Sequence, residues 1–374
     1  MISFIHGADF HLDSPFSALP PEQAAERRAE QRALFASLAS LAEGVDLVFL
    51  AGDLFDGDQI YPETADCIRR TLGQISAPVL IAPGNHDWVS RHSPYRQVGW
   101  PSNVHVFDSE SVTSVFFPSL GCTVYGAGFL APECRRSLLE GFRASQSESG
   151  YQFMVMHGEV GSGTGAYNPI TRQEIEESGL DYLALGHIHQ YSGPQQAGNT
   201  AYAWPGCPQG RGFDETGEKG VLRGQADETG VTLSFLPLAA HRYWEQSVVL
   251  QPDEDPLETI LAALPEGTEQ DIYRIILKGE SGAEGLDIEA LSEALAPRFY
   301  HVALRDKSAI RQELWARAEE DTLTGLFLKK MREKMDAAPT EAEHLRLQKA
   351  VRFGLAALEG REDPIGQNAN GGRR

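Results

Sequence analysis

The chain has 374 residues, of which 41% are hydrophobic and 23% are charged. This length is too great for one small core, and at roughly 100–200 residues per domain it predicts two or three domains. The net charge of −21 argues against a broad nucleic-acid-binding surface, because gripping the phosphate backbone usually requires a basic patch.

The first 190 residues alternate short β-rich runs with amphipathic helical patterns. The predicted strands are ISFIHGAD, VDLVFLAGD, APVLIAPGN, TVYGAG, YQFMVMHG and LDYLALGH. The predicted helices cover about residues 21–43, 62–76, 132–146 and 170–178. This alternation predicts an α/β sheet structure packed between helices.

The pattern changes after residue 200. Residues 200–245 predict strands joined by turns, one of them at Glu228–Gly230. Residues 246–306 predict a small separate α/β unit, which begins after the acidic segment QPDEDP. Residues 307–361 predict helices, the last of which begins with a capping box of Thr340 and Glu343 and ends at Gly360. We therefore expect domains at 1–245, 246–306 and 307–361, followed by a disordered tail at 362–374.

The expected location is the cytoplasm, without a membrane segment. No stretch approaches the ~20 apolar residues of a membrane span. The opening MISFIHGADFHL lacks a basic segment followed by a long apolar one. The cysteines form no CxxC pair, which is typical of free thiols in a reducing compartment; they are Cys67, Cys122, Cys134 and Cys207.

Side chains that can bind metals follow five of the predicted strands. The motifs, in chain order, are DFH (Asp9, His11), GDLFD (Asp53, Asp56), GNHD (Asn85, His86, Asp87), HG (His157) and GHIH (His187, His189). Each lies at the carboxyl end of a strand, where an α/β sheet gathers its ligand-binding loops. A lone histidine after a strand is usually a polar loop residue, but five such motifs in one chain favour a metal site.

The spacing of His187 and His189 suggests how such a site is divided. If the strand continues in extended form, the two imidazoles project to the same side, roughly 6.6–7 Å apart. Metal ions of a dinuclear site lie about 3.5–4 Å apart, so the two imidazoles can hold different ions.

The ordered set DxH, GDxxD, GNHD, H and GHxH resembles the calcineurin-like metallophosphoesterase superfamily. Within it, ADFHLDSPF, AGDLFD and PGCPQGRGFDETGEKG resemble the DNA-repair nuclease branch, which contains the SbcD nuclease subunit and the YhaO-type proteins. The resemblance covers residues 1–245. It implies a four-layer α/β sandwich (two mixed β-sheets flanked by helices), with a small α/β cap and C-terminal helices.

The resemblance also implies roles for individual residues. One ion would be held by Asp9, His11, Asp53 and His189, and the second by Asp53, Asn85, His157 and His187. His86 matches the family's catalytic histidine, and Asp87 is expected to serve catalysis beside it. Asp87 and Asp56 would lie behind the ligands and orient them. Arg91, Arg96 and Arg211 are the basic groups expected to contact substrate.

The expected chemistry is hydrolysis of DNA by metal-activated water, in an exonucleolytic mode. Oxygen and nitrogen donors without thiolate favour Mn²⁺ over Fe or Zn²⁺. The GxxxxGK[ST] phosphate loop is absent, so we expect no ATP hydrolysis by this chain. The expected partners are DNA, a coiled-coil ATPase of the SbcC or YhaN type on the final helices, and a second copy of the chain.

Two alternatives remain open at this point. One is a phosphodiesterase for small or cyclic nucleotides, because the five motifs are shared across the superfamily. The other is a non-catalytic scaffold for the ATPase. The final helices could equally pack onto the chain's own domains.

Overall fold

The computed structural model describes residues 1–17, 21–145, 150–252, 254–281 and 285–360. The chain divides into two compact units, Met1–Arg242 and Tyr243–Arg374. The predicted tail at 362–374 lies outside the described residues.

Over its described residues, the first unit contains two six-stranded sheets and four helices. Its strands are β1 (Ile2–Gly7), β2 (Leu47–Leu50), β3 (Val79–Ile81), β4 (Val104–Val106), β5 (Thr113–Phe117), β6 (Cys122–Gly126), β7 (Tyr151–His157), β8 (Glu159–Gly161), β9 (Pro169–Thr171), β10 (Tyr182–Gly186), β11 (Gln195–Ala197), β12 (Thr200–Ala203), β13 (Gly220–Asp227) and β14 (Gly230–Pro237). Its helices are α1 (Pro21–Leu41), α2 (Pro62–Gln74), α3 (Pro94–Gln97) and α4 (Arg172–Glu177).

Both six-stranded sheets are mixed. The first has the order β14-β13-β1-β2-β3-β4, with β1, β2, β3 and β4 parallel and β13 antiparallel to β1. The second has the order β11-β12-β10-β7-β6-β5, in which β12, β10, β7 and β6 are parallel. Strands β8 and β9 form a separate pair. The predicted sandwich of two mixed sheets flanked by helices is therefore confirmed.

Aromatic rings fill the space between the two sheets. Phe4 and Phe49 of the first sheet lie 5.9 and 5.8 Å from Phe153 of the second, measured between ring centroids. On the outer face of the first sheet, Phe35 and Leu38 of α1 are fully buried in a second cluster. Apolar burial on both faces of each sheet explains why the parallel strands are almost continuously hydrophobic.

The predicted helix at 132–146 is wrong over the described residues 132–145. This segment is irregular because other parts of the chain take its backbone hydrogen bonds. The Cys134 carbonyl accepts from the Asn168 N–H at 2.7 Å, and the Cys134 N–H donates to the Ala166 carbonyl at 2.8 Å. The N–H of Leu138 donates to the Asn168 side chain at 2.7 Å.

The second unit begins with β15 (Tyr243–Leu250), which contains the predicted boundary at 245/246. Its other elements are α5 (Pro256–Ala263), β16 (Ile272–Ser281), α6 (Ile288–Leu295), β17 (His301–Asp306), β18 (Ala309–Ile310), α7 (Gln312–Ala316), α8 (Leu323–Asp336) and α9 (Glu341–Leu358). Strands β15, β16 and β17 are parallel, and α5 and α6 pack on them around Ile260 and Leu295. The hydroxyl of Thr340 caps α9 by accepting from the Glu343 N–H at 3.2 Å.

Residues 246–306 and 307–360 belong to one unit, whereas the sequence suggests two domains. Arg352 of α9 makes contacts that join the two segments. Its guanidinium donates to Asp306 at 2.9 Å and to Ser281 at 2.7 Å, and so ties α9 to the ends of β17 and β16. Within the described part of the chain, every helix is too short or too polar to span a lipid bilayer.

Candidate metal centre

The seven predicted ligands lie together at one edge of the sandwich. Asp9, Asp53 and Asn85 follow the parallel strands β1, β2 and β3, whereas His157 ends β7 and His187 follows β10. Strands β7 and β10 are parallel neighbours in the second sheet, so their carboxyl ends lie at the same edge of that sheet. Each of the two sheets therefore contributes strand ends to the site. Strand direction therefore explains why residues far apart in the chain meet.

The first group consists of Asp9, His11, Asp53 and His189. The Nε2 atoms of His11 and His189 lie 3.2 Å apart. His189 Nε2 is 3.7 Å from Asp9 Oδ1, and His11 Nε2 is 3.7 Å from Asp53 Oδ2. Asp9, His11 and Asp53 are almost completely buried.

The second group consists of Asp53, Asn85, His157 and His187. Asn85 Oδ1 lies 2.9 Å from His157 Nε2 and 3.2 Å from His187 Nδ1. His157 Nε2 is also 3.4 Å from Asp53 Oδ2. The Oδ2 atom of Asp53 thus lies between the two groups, within 3.7 Å of an imidazole nitrogen from each.

The spacing of the donor atoms is compatible with bound divalent ions. Metal–ligand bonds of ~2.0–2.2 Å place neighbouring donors of one ion about 3–3.5 Å apart, and the shortest donor distances in the two groups are 3.2 and 2.9 Å. In three of the imidazoles the Nδ1 atom, which faces away from the centre, lies within hydrogen-bonding distance of another group. Nδ1 of His11 lies 3.1 Å from Asp56, and Nδ1 of His189 lies 2.7 Å from Glu215. Nδ1 of His157 lies 3.0 Å from the Ala51 carbonyl. Their Nε2 atoms are thereby left to face the centre.

Four of the candidate ligands adopt left-handed backbone conformations that are uncommon for non-glycine residues. The φ angles are 55° at Asp9, 44° at His11, 49° at Asp53 and 101° at His187. Such conformations are costly, and proteins retain them mainly at functional sites. The value at His187 also contradicts the predicted extended continuation of β10, so His187 and His189 reach different groups through a bend in the backbone.

Asp56 links two histidines behind the first group. Its Oδ1 atom lies 3.1 Å from Nδ1 of His11 and 3.1 Å from Nδ1 of His86. Burial raises the pKa of Asp56, but the hydrogen bonds from the two histidines outweigh it and hold that pKa well below its usual range. The hydrogen bond that His86 makes to Asp56 raises the pKa of His86, whose side chain is 47% exposed. His86 is therefore a half-exposed imidazole whose pKa lies above the ordinary histidine value.

Glu215 is a site residue to which the sequence assigned no role. Its carboxylate is 5% exposed and accepts from the Arg211 side chain and the Arg211 N–H, both at 2.7 Å, in addition to its contact with His189. Burial raises the pKa of Glu215, but the bonds from His189 and Arg211 hold it well below its usual range. Lys219, also unpredicted, donates to the His189 carbonyl at 2.8 Å. Both residues lie within the GFDETGEKG segment. The resemblance of this segment to the repair-nuclease branch was the sequence feature that could have indicated them.

The calcineurin-like phosphoesterase family model matches residues 2–191, the segment that contains all seven candidate ligands. The chain belongs to this family. It is also 31% identical over 263 residues to the uncharacterized metallophosphoesterase YhaO of Bacillus subtilis (strain 168). That match covers 66% of this chain, but it spans only 63% of the length of the relative.

Several solved structures are also similar to this calcineurin-like chain. TT1561 of Thermus thermophilus is 12% identical with a TM-score of 0.38, over 63% of this chain and 98% of that one. The purple acid phosphatase PPD1 from yellow lupin (Lupinus luteus) seeds has the same identity and TM-score, 12% and 0.38, over 63% of this chain and 49% of its own. A dimetal phosphatase from Danio rerio is 12% identical with a TM-score of 0.37, over 61% of this chain and 93% of that one.

The remaining predicted residues lie elsewhere or have other contacts. The carboxylate of Asp87, predicted to be catalytic, is 1% exposed and accepts from the N–H groups of Leu54 and Gly84, both at 2.7 Å, and from the Tyr95 hydroxyl at 2.7 Å. It therefore joins the loops after β2 and β3.

Two of the three arginines predicted to bind substrate contact carboxylates of the protein. Arg211 is held by Glu215 and lies 3.7 Å from Asp56, so its charge is already balanced within the protein. Arg96 is paired with Asp108 at 3.3 Å, and Arg91 is exposed on the surface. None of the three lines the cleft beside the candidate metal centre.

That cleft has a volume of about 560 Å³ and opens beside Asn85 and His86. Its other walls are formed by Gly57, Trp88, Ala131, Pro132, Glu133 and Tyr167. Its volume is typical of a site for a small organic molecule. A substrate group in this cleft would contact both a candidate ligand and the candidate acid.

Proposed function

We propose that this metallophosphoesterase is a dinuclear phosphodiesterase that acts on DNA. The observation that carries the proposal is the position of Asp53, whose Oδ2 lies 3.7 Å from His11 Nε2 and 3.4 Å from His157 Nε2, between two sets of donors. The choice of DNA rests on the resemblance of ADFHLDSPF and PGCPQGRGFDETGEKG to the repair-nuclease branch.

Two divalent ions held by these donors would neutralise the charge of a phosphodiester and activate a water molecule as nucleophile. Mn²⁺ is the proposed metal, because the donors are imidazole, carboxylate and amide oxygen.

The chain's own residues supply the remaining steps. The protonated imidazole of His86 donates a proton to the leaving oxygen, and Asp56 keeps that imidazole oriented through the 3.1 Å contact with Nδ1. Glu215 and Asp56 hold the rings of His189 and His11, so that the Nε2 atoms stay aimed at the centre. Asp87 fixes the loops that carry Asp53 and Asn85.

The acidic charge of the chain limits how DNA is bound. Residues 1–306 contain 19 Lys+Arg and 42 Asp+Glu, so we expect the metal ions and a few exposed cations such as Arg91 to provide most of the binding to DNA.

A partner that adds basic surface would then raise the affinity for DNA strongly. The proposed partner is a coiled-coil ATPase that docks on α8, where Leu323 and Leu326 are 68% and 57% exposed. Tight DNA binding by the isolated chain without metal would contradict this view.

A second candidate substrate is a small or cyclic nucleotide. The cleft favours it, because its volume of about 560 Å³ fits one nucleotide and its described lining residues include no Lys or Arg. The deciding experiment compares linear DNA, a cyclic nucleotide and bis-p-nitrophenyl phosphate as substrates with Mn²⁺. Turnover of DNA ends supports the proposal, whereas rapid turnover of the cyclic nucleotide with inert DNA overturns it. A chain that hydrolyses none of the three would be a scaffold.

A further inference from the structure

The cleft beside the candidate metal centre differs chemically from the centre itself. Trp88 and Tyr167 supply two aromatic walls, and Ala131 and Pro132 add apolar surface. Apart from His86, the charged group among its described lining residues is Glu133, which is paired with Arg135 at 2.7 Å. A continuing run of phosphates would find no Lys or Arg among these lining residues, whereas an uncharged aromatic ring would find stacking surfaces.

We propose that this cleft is a subsite for the base of a single nucleotide, seated against Trp88 and Tyr167. This inference rests on the proposed phosphodiesterase function and specifies which part of the substrate the chain reads. In this arrangement the phosphate lies near Asn85 and the leaving oxygen lies near His86. The base of the nucleoside attached to the leaving oxygen then enters the cleft. The chain would thus engage one nucleotide at a time.

Both aromatic side chains are attached to well-anchored backbone. The ring of Tyr167 lies 4.8 Å from the ring of His187, and the Tyr167 carbonyl accepts from the Glu159 N–H at 3.2 Å. Trp88 lies between Asp87, which is buried, and Val89, whose N–H donates to the Phe129 carbonyl at 2.8 Å. Trp88 and Tyr167 also pack against the buried cluster on the outer face of the second sheet. The stacking surfaces therefore require little ordering when a base arrives.

The test compares two ligands that carry the same phosphate. Thymidine 5′-monophosphate has a base, whereas 2-deoxyribose 5-phosphate lacks one, and both are titrated calorimetrically into the Mn²⁺-loaded full chain. Stacking on an aromatic side chain typically strengthens binding by about tenfold or more, so we expect about that ratio of dissociation constants. Equal affinities of the wild-type chain for the two ligands would overturn the inference.

Variants assign the preference to the cleft. Trp88→Leu keeps an apolar side chain but loses the aromatic face, so the ratio should fall towards one, whereas Trp88→Phe should largely retain it. Phe116→Ala, which removes an aromatic side chain that is 50% exposed on β5, is the matched control and should leave the ratio unchanged. An unchanged ratio in Trp88→Leu would contradict the inference, provided that its bound Mn²⁺ equals that of the wild type.

The outcome is separable from that of the proposed function. Hydrolysis of bis-p-nitrophenyl phosphate and of DNA is measured on the same preparations. If DNA is inert but the base preference persists and disappears in Trp88→Leu, the substrate assignment fails and the subsite stands. If DNA is hydrolysed but the wild type binds both ligands equally, the subsite fails and the proposed function stands.

Discussion

Glu215→Gln tests whether a residue outside the five metal-binding motifs controls metal binding. The substitution keeps the size of the side chain but removes its charge. Glu215 lies 2.7 Å from Nδ1 of His189 and 2.7 Å from the guanidinium of Arg211. The glutamine oxygen can still accept hydrogen bonds, but the NH2 group that replaces the other oxygen cannot. The ion pair with Arg211 is lost, and the His189 ring is held less firmly.

The expected effects follow from these contacts. Removing a hydrogen-bond partner behind a ligating histidine typically weakens metal affinity by about 10–100-fold, or ~1.4–2.7 kcal/mol. The loss should fall on the ion held by the His189 group, because His157 and His187 have no contact with Glu215 among those described for its carboxylate. The free energy of unfolding should fall by about 2–3 kcal/mol, since Arg211 becomes partly uncompensated but retains Asp56 at 3.7 Å.

The assay is a Mn²⁺ titration of metal-stripped protein, followed by calorimetry or electron paramagnetic resonance, with thermal unfolding in parallel. Glu228→Gln is the control, because it makes the same chemical change at an exposed turn residue. A folded Glu215→Gln variant that binds two Mn²⁺ ions with wild-type affinities would refute the assigned role.

Further predictions concern the acid, its partner and the loops. His86→Ala should lower kcat by about 10²–10⁴-fold without changing bound metal, and unchanged turnover would remove His86 from the mechanism. Asp56→Asn should move the alkaline limb of the kcat profile to lower pH, because Asp56 raises the pKa of His86 and the protonated form is then lost sooner; a limb that stays in place would contradict this. Asp87→Ala should lower the free energy of unfolding by about 2–5 kcal/mol, measured by urea titration, because three backbone N–H groups and a tyrosine hydroxyl lose their acceptor. Gly84→Ala should reduce bound metal, since its Cβ would lie 2.2 Å from Asp53 Oδ1, and a normal metal content would count against that steric argument.

Several features could be predicted because they depend on neighbouring residues. The apolar runs and the motifs after them predicted β1, β2, β3, β7 and β10 and the polar loops that follow. Since side chains at the carboxyl ends of parallel strands share one sheet edge, the local pattern was enough to collect Asp9, Asp53, Asn85, His157 and His187 as candidates.

Other features depended on contacts between distant segments. Glu215 lies 26 positions from His189, and only the packing of the loop that carries it brings its carboxylate to that ring. The residues near 134 look helical in isolation, but Asn168 and its neighbours compete for their hydrogen bonds. Asp87 is adjacent to His86, yet the first is buried between loops and the second faces the cleft.

The sequence by itself thus determined the order of the strands' motifs and the chemical kinds of donor, because both are written in short stretches of chain. The tertiary structure alone decided which nitrogen of each histidine faces the centre, which acidic groups hold those rings, and that Trp88 and Tyr167 share a cleft. These properties arise from three-dimensional proximity and from buried hydrogen bonds between segments that are remote in sequence, and no local pattern encodes them.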